Sequence, residues 1–123
     1  MKFTSFQPLI LTKDADAAVA LFEALGFEKR HNAKVVSKGK EILTVCMKNP
    51  DGFRVDVTQI DGIPQDMTLI RMNVDNFQEA YDFLISKGFV CAGEKPVETE
   101  TNISCMMRSP SGFAFDLCHH IKE

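Results

Sequence analysis

Two aspartates in this chain of 123 residues occupy matching places in a copied motif. The first copy is Asn49-Pro50-Asp51-Gly52-Phe53-Arg54-Val55-Asp56-Val57. The second is Ser109-Pro110-Ser111-Gly112-Phe113-Ala114-Phe115-Asp116-Leu117, shifted by 60 residues. A carboxylate can serve as a general acid or base, can hold a hard divalent cation, or can pair with arginine. Arg54 stands two positions before Asp56, and Arg71 lies in the second half of the chain. Arginine's planar fork suits carboxylate or phosphate groups of a ligand. Two readings of Asp56 and Asp116 therefore stand side by side. They are ligand, acid–base or metal groups, or they are half-exposed charges paired with Arg54 and Arg71.

The other reactive residue types carry less. Cys46, Cys91, Cys105 and Cys118 contain no C-x-x-C pair, so no structural zinc site is expected. Each reads as a reduced thiol acting as a small buried hydrophobe. His119 and His120 are adjacent, so on a strand they point to opposite faces, and only His120 shares a side with Asp116. His31 lies in the charged run Glu28-Lys29-Arg30-His31 and reads as surface. Lys38-Gly39-Lys40 reads as a hairpin tip, not a phosphate loop.

These residues need elements to hold them. Each copy of the motif reads as a tight turn followed by a strand, because proline presets φ and glycine accepts a backbone state that other residues resist. Alternation puts Phe53, Val55 and Val57 on one face and Arg54, Asp56 and Thr58 on the other. The same sorting sets Phe113, Phe115 and Leu117 against Ala114, Asp116 and Cys118. Upstream, Phe3 to Leu11 reads as a strand, with Pro8 marking an edge or an irregularity. Asp14 is placed to cap a helix over 15–25, whose Ala18, Leu21, Phe22 and Leu25 share one face, and Gly26 stops it. Strands over 27–37 and 40–48 follow, and the strand after Gly52 runs to about Ile60.

After a connector over 61–66 the order restarts. A strand over 67–74 opposes Ile70, Met72 and Val74 to Leu69, Arg71 and Asn73. A helix over about 77–87 is capped by Asp75 or Asn76 and stopped by Gly88, which is 62 residues beyond Gly26. A short strand over 89–92, a polar stretch over 93–100 and strands over 101–108 and 113–119 complete the chain. The expectation is a single α+β domain built from two βαβββ modules, one over 1–60 and one over 67–123.

A doubled βαβββ unit, with a turn like D-P-x-G and a carboxylate four residues after its glycine, resembles the vicinal oxygen chelate superfamily. That group includes glyoxalase I, the fosfomycin- and bleomycin-resistance proteins and extradiol dioxygenases. The helix ending in Leu25-Gly26-Phe27 is also similar to the first helix of that superfamily. The resemblance implies curved mixed sheets around a cup. In metal-using members, the first and last strands of each module supply the ligands. The matching positions here are Gln7, Asp56, Leu69 and Asp116. Those members usually carry histidine at one or both first-strand places and more often glutamate at the last-strand ones. Gln7 is a poor neutral ligand and Leu69 has no donor. The resemblance so implies no tightly bound metal or other cofactor, with Asp56 and Asp116 as candidates for a weakly held divalent cation.

The function expected is small-molecule binding in the cup, as in metal-free resistance-type members, with Gln7, Arg54, Asp56, Leu69, Arg71 and Asp116 around a polar or anionic ligand. The rival is a glyoxalase-like lyase or isomerase that uses a divalent metal at Asp56 and Asp116. A third class is an interaction module without a ligand. No catalytic residue is assigned. Net charge is −3, from 14 basic and 17 acidic residues, which argues against a nucleic-acid surface. No apolar run approaches the ~20 residues of a membrane helix. Met1-Lys2-Phe3-Thr4-Ser5 lacks the apolar core of a signal peptide, so a cytoplasmic location is expected. Members of the superfamily commonly pair, and a homodimer is expected.

Overall fold

The computed structural model describes residues 1–37, 40–93, 95–99 and 102–120, and of 31, 33–37, 40 and 41 the backbone. The Lys38-Gly39 turn and the His31 side chain lie outside the described residues. The elements in order are β1 (Phe3–Thr12), α1 (Ala15–Ala24), β2 (Glu28–Ser37), β3 (Lys40–Lys48), β4 (Arg54–Gln59) and β5 (Met67–Val74). Then come α2 (Phe77–Ser86), β6 (Val90–Cys91), β7 (Val97–Glu98), β8 (Asn102–Arg108) and β9 (Ala114–His120). This is the expected α+β order, with β7 added inside the stretch read as polar loop.

The chain forms two compact units, Gln7–Thr68 on one hand and Met1–Phe6 with Leu69–Glu123 on the other. The first six residues thus group with the second module. In the first unit the strand order is β2-β3-β4-β1. β1 runs parallel to β4, from Leu9 opposite Asp56 to Thr12 opposite Gln59. Pro8 stands one residue ahead of this ladder, so its missing N–H removes none of these pairs. Val19 of α1 packs with Met47, Val55 and Val57, and Ile10, Ala18 and Phe22 close around them. Val55 and Val57 therefore face the helix, as their alternation requires. In the second unit the order is β5-β9-β8-β6, with β7 also on β8. β5 runs parallel to β9, with Arg71 opposite Asp116. Phe77, Ala80 and Leu84 of α2 join Met72, Val74, Met107 and Leu117 in its core.

The repeat extends to individual hydrogen bonds. Asp14 caps α1 by accepting from the Ala17 N–H at 3.1 Å, and Asn76 caps α2 by accepting from the Glu79 N–H at 3.1 Å. At the C-terminus of α1, Gly26 N–H donates to Glu23 O and Phe27 N–H to Phe22 O. At the end of α2, Gly88 N–H donates to Ile85 O and Phe89 N–H to Leu84 O. Both are Schellman stops, which satisfy the last free carbonyls of a helix. Phe22 and Phe27 add the apolar contact that accompanies such a stop, edge to face at 5.6 Å. The motif turns match as well. Gly52 N–H donates to Asn49 O at 3.0 Å, and Gly112 N–H to Ser109 O at 3.1 Å.

The modules differ at their outer strands. β2 pairs β3 along its whole length, with an irregularity between Lys29 and His31. Its counterparts β6 and β7 are two residues each, and each pairs β8 at two positions. A disulfide joins this short edge: Cys91 of β6 is bonded to Cys105 of β8, with Cα atoms 6.1 Å apart. This corrects the expectation of four reduced thiols. Cys91 lies opposite Met107, so Cys105 is its diagonal neighbour two residues along β8, within disulfide reach. Cys46 and Cys118 form no disulfide among the described residues, and Cys118 is buried. A second difference lies at the helix stops. A Cβ built on Gly26 would meet nothing within 4 Å, whereas one on Gly88 would stand 3.0 Å from Pro110 Cγ.

Gly52 and Gly112 hold φ of +92° and +109°, and a Cβ at either would meet nothing within 4 Å. Any cost of a side chain there is therefore backbone strain alone. Gly52→Val and Gly112→Val should each destabilise by about 1–3 kcal/mol. Thermal melts read this directly, and midpoints unchanged in both variants would contradict the turn geometry.

Candidate functional site

In the first unit, Asp56 sits at the middle of the polar side of the sheet, only 2% exposed. Its position follows from two ladders, which set Leu9 on one side and Cys46 on the other. A buried carboxylate needs hydrogen bonds or a counter-charge. Gln7 Nε2 donates to Asp56 Oδ2 at 2.9 Å. Gln7 is itself 7% exposed, and its Oε1 is buried without a hydrogen-bond partner. Two positions along β4, Thr58 shares a hydroxyl hydrogen bond with Thr44 at 2.7 Å. Arg54 was expected beside Asp56. It is instead exposed at the first residue of β4, opposite Lys48.

In the second unit, the matching side of the sheet carries Leu69, Arg71 and Asn73 on β5 and Asp116 on β9. Leu69 is buried. Arg71 Nε approaches Asp116 Oδ2 at 3.5 Å, an ion pair between side chains only 10% and 20% exposed. Asn73 Nδ2 donates to Ser5 Oγ at 2.6 Å, while its Oδ1 is buried without a hydrogen-bond partner. His119 Nδ1 lies 2.7 Å from the Val74 carbonyl, and His120 is exposed. Cys118 faces Asn73 across the β5–β9 ladder. Burial, and then the Asp116 carboxylate, push its thiol well above the ordinary value of 9.0.

The modules place their carboxylates identically and answer them differently. The ladder partner of Asp56 is Leu9, and the partner of Asp116 is Arg71. The first carboxylate is met by the neutral amide of Gln7, two residues before that slot. The second is met by a guanidinium in the slot itself. The structure thus brings Gln7 to Asp56 and Arg71 to Asp116, and leaves Arg54 apart. Thr44 and Cys46 join the first polar face without having been singled out by sequence. Strand pairing is what selects them, since each lies opposite a β4 residue of that face.

The donor set fits a metal poorly. Among the described residues there is no group of three His, Cys, Asp or Glu side chains arranged to hold an ion. Gln7 gives its N–H to Asp56 and offers only a neutral amide oxygen, a weak ligand. Leu69 offers no donor, and Asp116 already faces a positive charge. Stable transition-metal sites want three or four protein donors, with imidazole or thiolate among them.

The Cys118 shift fixes a pH dependence. In the unfolded chain this thiol ionises near 9.0, while in the native chain it stays protonated to much higher pH. Its contribution to stability is fully present below that value and is lost as pH rises above it. Wild type should therefore lose about 1.4 kcal/mol per pH unit more than Cys118→Ala once pH exceeds 9. Urea midpoints of the two proteins between pH 7.5 and 10 measure the difference, and parallel profiles would contradict it.

No protein-family model matches the sequence, and no curated protein sequence matches it. Solved structures do match. A methylmalonyl-CoA epimerase from Mycobacterium tuberculosis is 13% identical, with a TM-score of 0.70, over 95% of this chain and 88% of that one. A glyoxalase/bleomycin resistance protein/dioxygenase superfamily member from Vibrio splendidus 12B01 is 16% identical, with a TM-score of 0.60, over 98% and 100%. Glyoxalase I from Zea mays is 15% identical, with a TM-score of 0.67, over 98% of this chain and 45% of that one. The chain thus spans less than half of the maize enzyme. At these identities the likeness is one of fold, and the chain has the vicinal oxygen chelate fold.

Proposed function

We propose that the chain binds a small anionic or polar molecule on the sheet face that carries Arg71 and Asp116, without a resident metal. One observation carries this reading: a largely buried guanidinium occupies a slot that the other module fills with Leu9. The fold therefore does not require charge at this place. Burying an ion pair is a weak route to stability, so recognition is the better account of Arg71. An anion would compete with Asp116 for the guanidinium, which keeps affinity modest. Asn73 Oδ1, two residues along the same strand face, favours a ligand that also carries a hydrogen-bond donor. Similar structures include an epimerase named for methylmalonyl-CoA, which agrees with a small-molecule ligand.

The rival reading is a glyoxalase-like lyase or isomerase with a weakly held divalent metal at Asp56 and Asp116. What favours it is the matched placement of those two carboxylates in their ladders. What weighs against it is the poor donor set around each.

Elemental analysis of protein purified without chelator, followed by calorimetric titration, separates the two. The expected outcome is no stoichiometric metal, weak binding of inorganic phosphate or small carboxylates, at least tenfold weaker binding in Arg71→Ala and tighter binding in Asp116→Asn. Near-stoichiometric Mn²⁺, Ni²⁺ or Zn²⁺ that is lost in Asp56→Ala together with lyase activity would establish the rival. The proposal also includes a homodimer, since open sheet edges need covering. Sedimentation at micromolar concentration should show about twice the 13.8 kDa chain mass, and a monomer alone would remove that part.

A further inference from the structure

The second unit contains a cavity of about 230 Å³ on the helix-covered side of its sheet, lined by apolar residues alone. Met72 of β5 and Phe115 of β9 form its floor. Ala80, Phe83 and Leu84 of α2, Phe3 of β1 and the preceding Met1 form its walls. Phe3 and Phe83 are each 53% exposed, so the cavity is reached from solvent past these two rings. Ala80 is almost completely buried and Leu84 nearly so. Their short side chains leave the space that the neighbouring aromatic rings surround. Phe22 holds the place in α1 that Leu84 holds in α2, 62 residues on, and packs into the core of its own unit.

From this cavity we infer a binding site for a small neutral apolar molecule, a single aromatic ring with short alkyl substituents or its branched aliphatic equivalent. The chemistry follows from the lining. No polar side chain is available to orient a hydrogen-bonding ligand, so selection is by shape and by removal of apolar surface from water. Burying a charged or strongly polar ligand here would leave its groups unsatisfied. The size follows from volume. A dry apolar cavity of about 150 Å³ is enough to take up benzene, so this one accommodates a substituted ring. Aromatic walls add edge and face contacts to a ring of that kind.

The site is separate from the polar face and does not rest on its proposed role. Met72 and Phe115 are the sequence neighbours of Arg71 and Asp116. On a strand, neighbours point to opposite faces. The apolar cavity therefore backs directly onto the ion pair, through the thickness of two paired strands.

Toluene is a suitable probe, read by NMR on protein labelled at its methionine methyl groups. The Met72 and Met1 methyls, both in the lining, should move saturably with toluene, whereas that of Met47, in the core of the other unit, should stay in place. Leu84→Phe copies the residue present in the first module and should weaken binding at least tenfold, with a sharp, dispersed signal from Met107, in the core of the same unit, reporting an intact fold. Ala80→Val is the second filling variant if Leu84→Phe does not fold, and the same loss is expected. No saturable Met72 shift up to the solubility of toluene would overturn the site. So would equal shifts at Met47 and Met72, or binding that survives a folded filling variant. A Met72 signal that moves with protein concentration alone would assign the cavity to a second copy of the chain and overturn the ligand as well.

Discussion

Each module rests on one parallel ladder between its first strand and its last. Parallel neighbours cannot be joined by a tight hairpin; they need a crossover. Here α1 with β2 and β3 provides it in the first module, and α2 with β6, β7 and β8 in the second. The register of that ladder decides which side chains share the polar face and at what height. Leu9 opposite Asp56 and Arg71 opposite Asp116 are the same slot, used twice. The caps, the Schellman stops and the motif turns all serve this pairing. They set where the helix ends and where the last strand begins, so the carboxylate arrives at a fixed place in both copies.

On that common frame the modules have diverged in the chemistry of their polar faces as well as in their outer strands. The first gives its aspartate a hydrogen bond from the Gln7 amide and pairs two threonine hydroxyls with each other further along the same face. The second sets a charge against a charge, and each module leaves one buried amide oxygen, Gln7 Oε1 or Asn73 Oδ1, without a hydrogen-bond partner. A neutral hydrogen bond to a buried carboxylate satisfies it locally. An ion pair at 3.5 Å is looser and can be shared with a third group.

Much of the fold was legible because it is written in local signals. Asp14, Asn76, Gly26 and Gly88 mark the helix limits by side-chain caps and positive φ, and alternation sorts the faces of β4, β5 and β9 correctly. Arg54 shows where such reasoning ends. Alternation assigns a face but not a depth, and a residue at the mouth of a strand, beside its turn, can reach solvent from either face. The Cys91–Cys105 bond was hidden for another reason. It depends on the register of a two-residue strand, which has no periodicity to read. The grouping of Met1–Phe6 with the second unit was invisible for the same cause: long-range pairing leaves no mark on a strand's own sequence. The apolar cavity needs the sizes of Ala80 and Leu84 in three dimensions, which a pattern of apolar positions does not contain.

The contact between Gly88 and Pro110 bears on the history open to this chain. In the first module the glycine of the helix stop touches nothing that a methyl group would disturb, so helix end and hairpin turn can drift separately. In the second, the proline ring stands where a Cβ at position 88 would press. A side chain there must overcome both an unfavourable φ and a neighbour that cannot bend away, since proline's ring is closed on its own backbone. A side chain at position 88 is therefore coupled to position 110, whereas one at position 26 answers only to its own backbone. Two copies that began alike would, on this account, accumulate change at different rates at the same landmark.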